Sequence, residues 1–146
     1  MIKGFSVLIT RNFFQNELED LNQRIVTLAE LSGKALSGAI HPLFTNDIEK
    51  ANDVIKNDIH INRKELEIND KVVLLIAKQQ PVATDLRRIV GFLRIATDLE
   101  RMADNAKNIA QSTIHLGDNR IPMLDNLEKF HQLVQSMLEK AIIAFR

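Results

Sequence analysis

Apolar residues recur at three- and four-residue steps over long tracts, and proline or glycine separates one tract from the next. The pattern predicts amphipathic helices and an all-α fold. The first tract carries Leu18, Leu21, Ile25, Leu28, Ala35 and Ala39 and reaches Pro42, whose ring removes a backbone donor and is expected to end or kink the helix. Gly33 and Gly38 weaken that tract locally. The second opens at Asn46 with Glu49 three residues on, a variant of the capping box, and runs through Ile55, Ile61, Ile68, Val72 and Ile76 to Gln80. Pro81 suits a first helical position, and a third tract follows through Leu86, Ile89, Leu93, Ala96, Ala103 and Ala110 to a stop at Gly117. A fourth, Leu124 to Arg146, aligns Leu127, Phe130, Val134, Met137 and Ala141 on one face.

Helices of about 30 residues are about 45 Å long, and loops this short force neighbours to lie antiparallel. The expected shape is an elongated up-and-down bundle. Shifting the first tract by 102 positions lays Ile25 on Leu127, Leu28 on Phe130, Leu31 on Leu133, Leu36 on Leu138, Ile40 on Ile142 and Leu43 on Phe145. Two unrelated amphipathic helices can align in this way. A repeat would make the fourth helix the first of a second unit. Arg146 has no stop signal after it, which favours a chain that breaks off one helix into that unit.

Composition narrows the function classes. The chain has 146 residues, enough to bury roughly 70% of its unfolded surface without staples, and it contains no Cys. Its 19 Lys and Arg balance 19 Asp and Glu, and with no Tyr or Trp to stack on bases, nucleic acid is not an expected partner. The longest apolar run, Val72 to Ala77, is far short of the roughly 20 residues that span a bilayer, and Met1 to Thr10 makes a poor secretory signal. Cytoplasmic residence is expected.

The candidate chemistry lies in acids that interrupt an apolar stripe. On a wheel of 100° per residue, Glu100 and Asp104 fall one turn apart in the sector of Leu86, Ile89, Leu93 and Ala96. Asp58 and Asn62 fall likewise in the sector of Ala51, Val54, Ile55, Val73 and Ile76, and Glu65 and Asn69 continue the interruption. In a hairpin turning near Gln80 and Pro81, Asp58 faces about position 103 and Asn62 about position 99. The D-x-x-x-N of one helix therefore meets the E-x-x-x-D of the next. Three bare carboxylates cannot share a low-dielectric sector, and a multivalent cation would neutralise them. Carboxylate and amide oxygens are a hard donor set, suited to Mg²⁺, Mn²⁺, Ca²⁺ or iron. The alternative is that the surface opens there and the acids pair with Lys or Arg or face water.

Weaker signals are a single E-x-x-H at Glu128 and His131, and Arg87, Arg94 and Arg101 at seven-residue steps on a polar face. His41, His60 and His115 accompany no nucleophile. With no Gly-rich loop or catalytic triad, an enzyme is not expected.

Three segments are more particular than any helical stripe: Ala77-Lys78-Gln79-Gln80-Pro81, Ala83-Thr84-Asp85-Leu86-Arg87, and Asp98-Leu99-Glu100-Arg101-Met102-Ala103-Asp104. Together with Leu18 to Leu21 and Val54-Ile55-x-x-Asp58 they make the chain resemble the PhoU family of phosphate-uptake regulators over roughly residues 11–146. The resemblance implies two three-helix repeats, each holding a metal or metal cluster on paired E(D)-x-x-x-D motifs. Glu100 and Asp104 match one motif. Asp58 and Asn62 occupy the other, with Asn in place of the final acid, which lowers the charge of the site. It implies a divalent or trivalent metal, with iron, manganese, magnesium or zinc as candidates. It also implies a non-catalytic restraint on the phosphate ABC transporter and its sensor histidine kinase, and a homodimer peripheral to the membrane through protein partners. The expected organisation is a tail over 1–12, a three-helix repeat over 13–117, a linker over 118–122, and the first helix of a second repeat over 123–146. The competing reading is a helical scaffold module accessory to another transporter.

Overall fold

The structure, a computed structural model, describes residues 2–119, 122 and 125–146, with side chains from Asn12 onward. Four helices follow one another: α1 (Ile2–Thr45), α2 (Ile48–Gln79), α3 (Ala83–Leu116) and α4 (Asp125–Phe145), and no strand occurs among the described residues. The first three form an antiparallel bundle in which each packs on the other two, while α4 docks against α1. The all-α bundle is therefore as the pattern predicts.

The buried positions explain why the bundle is long and regular. On α2 they are Ala51, Val54, Asp58, Ile61, Ile68, Val72 and Leu75, and on α3 Ile89, Phe92, Ala96, Ala103, Ala106, Ala110 and Thr113. With Glu65 and Leu99 included, both series step alternately by three and four, the heptad spacing that keeps one seam against its neighbours in a supercoiled bundle. α1 continues the rule with Phe14, Leu18, Leu21, Ile25, Leu28 and Ser32. Large side chains fill the half of the bundle near the α2–α3 turn. At the other end Ala39, Ala51, Val54, Ala106 and Ala110 form a second cluster of small residues. Asp58 lies on α2 between Val54 and Ile61, where one cluster gives way to the other.

Several boundaries differ from those expected. α1 extends back to Ile2, so helical backbone covers residues 2–12, expected as a tail. Pro42 lies inside α1 and does not end it. Only one helical donor is lost so close to the terminus, and the buried ring supplies packing in return. α2 is capped by Asp47, one residue after the expected Asn46: its side chain accepts a hydrogen bond from the Lys50 amide at 3.1 Å. Asn46 instead takes a left-handed conformation, φ 56°, which Asn tolerates better than most residues. Pro81 is not the first residue of α3. The reversal uses left-handed Gln80, then Pro81 and extended Val82, and the helix begins at Ala83. Gly117 ends α3 as expected, with φ 53°. Part of the 118–122 linker and the onset of the fourth tract at Leu124 lie outside the described residues.

α4 runs antiparallel to α1. Gln135 donates to the Gly33 carbonyl at 3.0 Å, and Arg146 pairs with Glu30 at 2.7 Å. Phe145 meets Phe92 edge to face, with centroids 5.9 Å apart. A Cβ at Gly33 would lie 2.8 Å from Leu138 Cδ2, so the end of that leucine side chain would have to turn aside. α4 buries none of its residues fully, and Phe130 and Met137 are each 63% exposed.

Candidate metal centre between α2 and α3

The α2–α3 hairpin brings the sequence-derived acids to one level. Thr97 Oγ1 donates to Glu65 Oε1 at 3.4 Å, and Lys107 Nζ reaches Asp58 Oδ2 at 2.8 Å. These two cross-helix contacts bracket Glu100 and Asp104 and hold them beside Asp58 and Asn62. The register follows from equal distance to the turn, as the sequence requires.

The wheel does not hold along the whole helix. Val73, assigned to the inner sector, is 61% exposed, and Leu86 is exposed too, while Val72 and Leu75 are buried. A seam of period 3.5 drifts about 20° per heptad against a wheel of period 3.6, so assignments made far from the reference residue slide off the core. Near the centre the error is small. Asp58 is 6% exposed and occupies a core position, and Asn62 is half-buried beside it. Glu100 and Asp104 are half-buried, each one residue past the core series at Leu99 and Ala103. They flank the seam, facing α2.

Lys107 is the residue that sequence reasoning missed. Its ammonium bridges the helices, 2.8 Å from Asp58 Oδ2 and 2.9 Å from Asp104 Oδ1. Hydrogen bonds to Asp58 and then to Asp104 hold its pKa well above the ordinary lysine value, against the opposing effect of burial. The available signal was its position three residues after Asp104, on the same flank of α3. The expected alternative, that the acids pair with a cation of the chain, therefore holds for Asp58 and Asp104.

Glu100 makes no such ion pair among the described residues, and the Asp104 side chain is 46% exposed. Lys107 touches Asp58 and Asp104, while Glu100 feels the charges of Asp104, Glu65 and Asp58 as well as that of Lys107. Burial first, and then the charges of Asp104, Glu65 and Asp58, raise the Glu100 pKa, with Lys107 opposing. Asp58 Oδ1, Asn62 Oδ1 and, further along α2, Asn69 Oδ1 are buried with no hydrogen-bond partner. Asn62 and Asn69 spend their amide hydrogens inside the seam, on Asp58 Oδ2 at 3.4 Å and Glu65 Oε1 at 2.6 Å, which leaves those amide oxygens free. Unpaired buried oxygens are costly, and carboxylate plus amide oxygen suits a hard cation. The donor set therefore fits a metal. No three His, Cys, Asp or Glu side chains among the described residues converge closely enough to hold one as the side chains stand.

The other candidates separate. Glu128 accepts from Gln132 and His131 lies beside Ser37 and Gln135, so the E-x-x-H does not form a site. Arg101 pairs with Asp98 at 3.8 Å on an exposed face. His60 is exposed, away from the seam. No helix among the described residues is long and apolar enough to cross a membrane.

Comparison with known proteins agrees with this architecture. The chain is 36% identical over 132 residues to the phosphate-specific transport system accessory protein PhoU homolog of Aquifex aeolicus (strain VF5), covering 88% of this chain and 59% of that protein. It is 34% identical over 131 residues to the homolog of Rhizobium meliloti (strain 1021), covering 88% of this chain and 55% of the relative. Among solved structures it is similar to the phosphate transport system regulatory protein PhoU from Streptococcus pneumoniae, with a TM-score of 0.82, 30% identity, and 90% of this chain matched to 62% of that one. The chain thus spans less than two thirds of the length of these relatives. The PhoU domain matches residues 25–113, more than half of the chain and all of the seam from Asp58 to Lys107. This chain belongs to the PhoU domain family.

Proposed function

We propose that this chain is the metal-binding part of a regulatory accessory protein of phosphate transport. It restrains phosphate uptake and phosphate-starvation signalling when phosphate is plentiful, as an adaptor between a phosphate ABC transporter and a sensor histidine kinase. The observation that carries the reading is the pairing, at one level of a PhoU domain, of Glu100 and Asp104 with Asp58 and Asn62, with buried oxygens left unpaired. Asp58, Asn62, Glu100 and Asp104 would hold the metal. Bound there, it would supply charge neutralisation and a cross-link between α2 and α3. The names of the relatives, accessory and regulatory proteins of phosphate transport, support the biological setting. No step in this role is catalytic.

The exposed apolar side chains of α4, Phe130, Leu133, Val134 and Met137, support action through helical contacts, whether with a second copy in a homodimer or with membrane-protein partners in the cytoplasm. The test is genetic. Deleting the gene that encodes this chain should switch on a phosphate-starvation reporter in high phosphate. Restoring the wild-type gene should silence it, and a Glu100→Gln, Asp104→Asn gene should restore less repression. A reporter indifferent to the deletion would refute the phosphate role and leave the scaffold reading in its place.

A further inference from the structure

We infer that Lys107 is a tethered counter-ion occupying the bridging position a metal would take between α2 and α3, and that metal binding must displace it, so that Lys107 sets the affinity of the site. The inference rests on the cation-site reading above and goes beyond it by naming what competes for the site. Three observations carry it. First, the ammonium touches one acid on each helix, Asp58 on α2 and Asp104 on α3, the two elements that a bridging metal would join. Second, its occupancy is incomplete. Asp58 is almost fully buried, yet its Oδ1 has no partner, and neither has Asn62 Oδ1. A lysine brings a single charge and three donors, whereas a hard divalent cation brings two charges and gathers about six oxygens. Third, Lys107 has a way out. Its side chain is 25% exposed on the flank of α3, and a flexible four-carbon stem can carry the ammonium to water while its methylenes stay against the protein.

The device is an exchange of cations with no proton transferred: the ammonium leaves Asp58 and Asp104 still charged, and those carboxylates would then be free to hold the metal. Without metal, Lys107 keeps the two helices together. With metal, it is released to the surface, where it changes the charge of the α3 face. Because a tethered competitor lowers apparent affinity by the fraction of time it fills the site, removing it should tighten binding.

The test titrates Mn²⁺ into the chelator-stripped chain by calorimetry, comparing wild type with Lys107→Met, which keeps the stem, and Lys107→Gln. Both variants should bind about tenfold more tightly, equivalent to about 1.4 kcal/mol, with unchanged stoichiometry. A second measurement needs no variant. Amine acylation of wild type, read by mass spectrometry, should modify Lys107 slowly without Mn²⁺ and faster with it. Lys71, ion-paired with Glu17 and Asp20, should not change and serves as the reference. If wild type binds Mn²⁺ and the variants bind equally or more weakly, or if Lys107 acylation is unchanged by Mn²⁺, Lys107 is not a competitor, although the metal reading survives. If neither wild type nor variants bind, both readings fall together.

Discussion

Replacing Glu100 by Gln isolates the electrostatic cost of the seam, because the amide keeps the shape of the side chain and removes its charge. Glu100 carries the like charge of Asp104 one turn on, a pair that costs about 0.2–0.5 kcal/mol even on an exposed helix, and partial burial adds a desolvation cost of similar size. The total is about 0.4–1 kcal/mol. A chain of this length unfolds with about 0.3 kcal/mol per degree of entropy, so Glu100→Gln should raise the melting temperature of metal-free protein by about 1–3 °C at pH 7. The sign follows from linkage. Burial and neighbouring acids raise the Glu100 pKa in the folded state above the ordinary value of 4.5, so the folded chain holds its proton more firmly than the unfolded chain. Stability is then withheld as pH rises through the folded value, and below the ordinary value Glu and Gln become equivalent. Calorimetric melts in chelator at neutral pH and below the ordinary value test both parts. A variant that melts no higher at pH 7, or an advantage that persists unchanged in acid, would refute the reasoning. With saturating Mn²⁺ the order should reverse, because only the wild type keeps the full ligand set.

Other consequences follow from the packing. Nothing lies within 4 Å of a Cβ built on Gly91, inside α3, so Gly91→Ala should stabilise by about 0.5–1 kcal/mol in denaturant titrations. Gly33→Leu should push α4 from α1, seen as faster amide exchange over 125–145 with protection of α2 and α3 retained. Lys71→Met should lower the urea midpoint near neutrality: hydrogen bonds from Lys71 and then Arg24 depress the Asp20 pKa, and stability from a depressed carboxyl is present above the ordinary value of 3.8. The gap to wild type should close as pH falls through the depressed value in the folded state.

What could be read from the sequence divides along physical lines. Proline and glycine limit helices by local chemistry, so the existence and order of the four helices were legible, and equal distance from Pro81 set the register that brings Glu65 to Thr97. Boundaries depended on which of two neighbouring polar residues wins a cap, and Asp47 outcompeted Asn46 because Asn46 was taken up by the left-handed turn. The inner faces at the helix ends were misread because supercoiling moves the seam away from a fixed wheel, as at Val73 and Leu86. The acids themselves were legible as interruptions of an apolar stripe. Lys107 was not, because its i, i+3 spacing from Asp104 signals only a pair within α3. Only the folded hairpin shows that its ammonium reaches across to Asp58.

The most direct measurement is the metal content of the chain purified without chelator, taken by elemental analysis beside Asp58→Asn and a Glu100→Gln, Asp104→Asn double variant. Wild type should carry close to one equivalent or more of iron, manganese or another hard cation, and each variant should carry markedly less while keeping its helical spectrum. Equal, negligible metal in all three would contradict the account, leaving Lys107 as the only cation the seam uses.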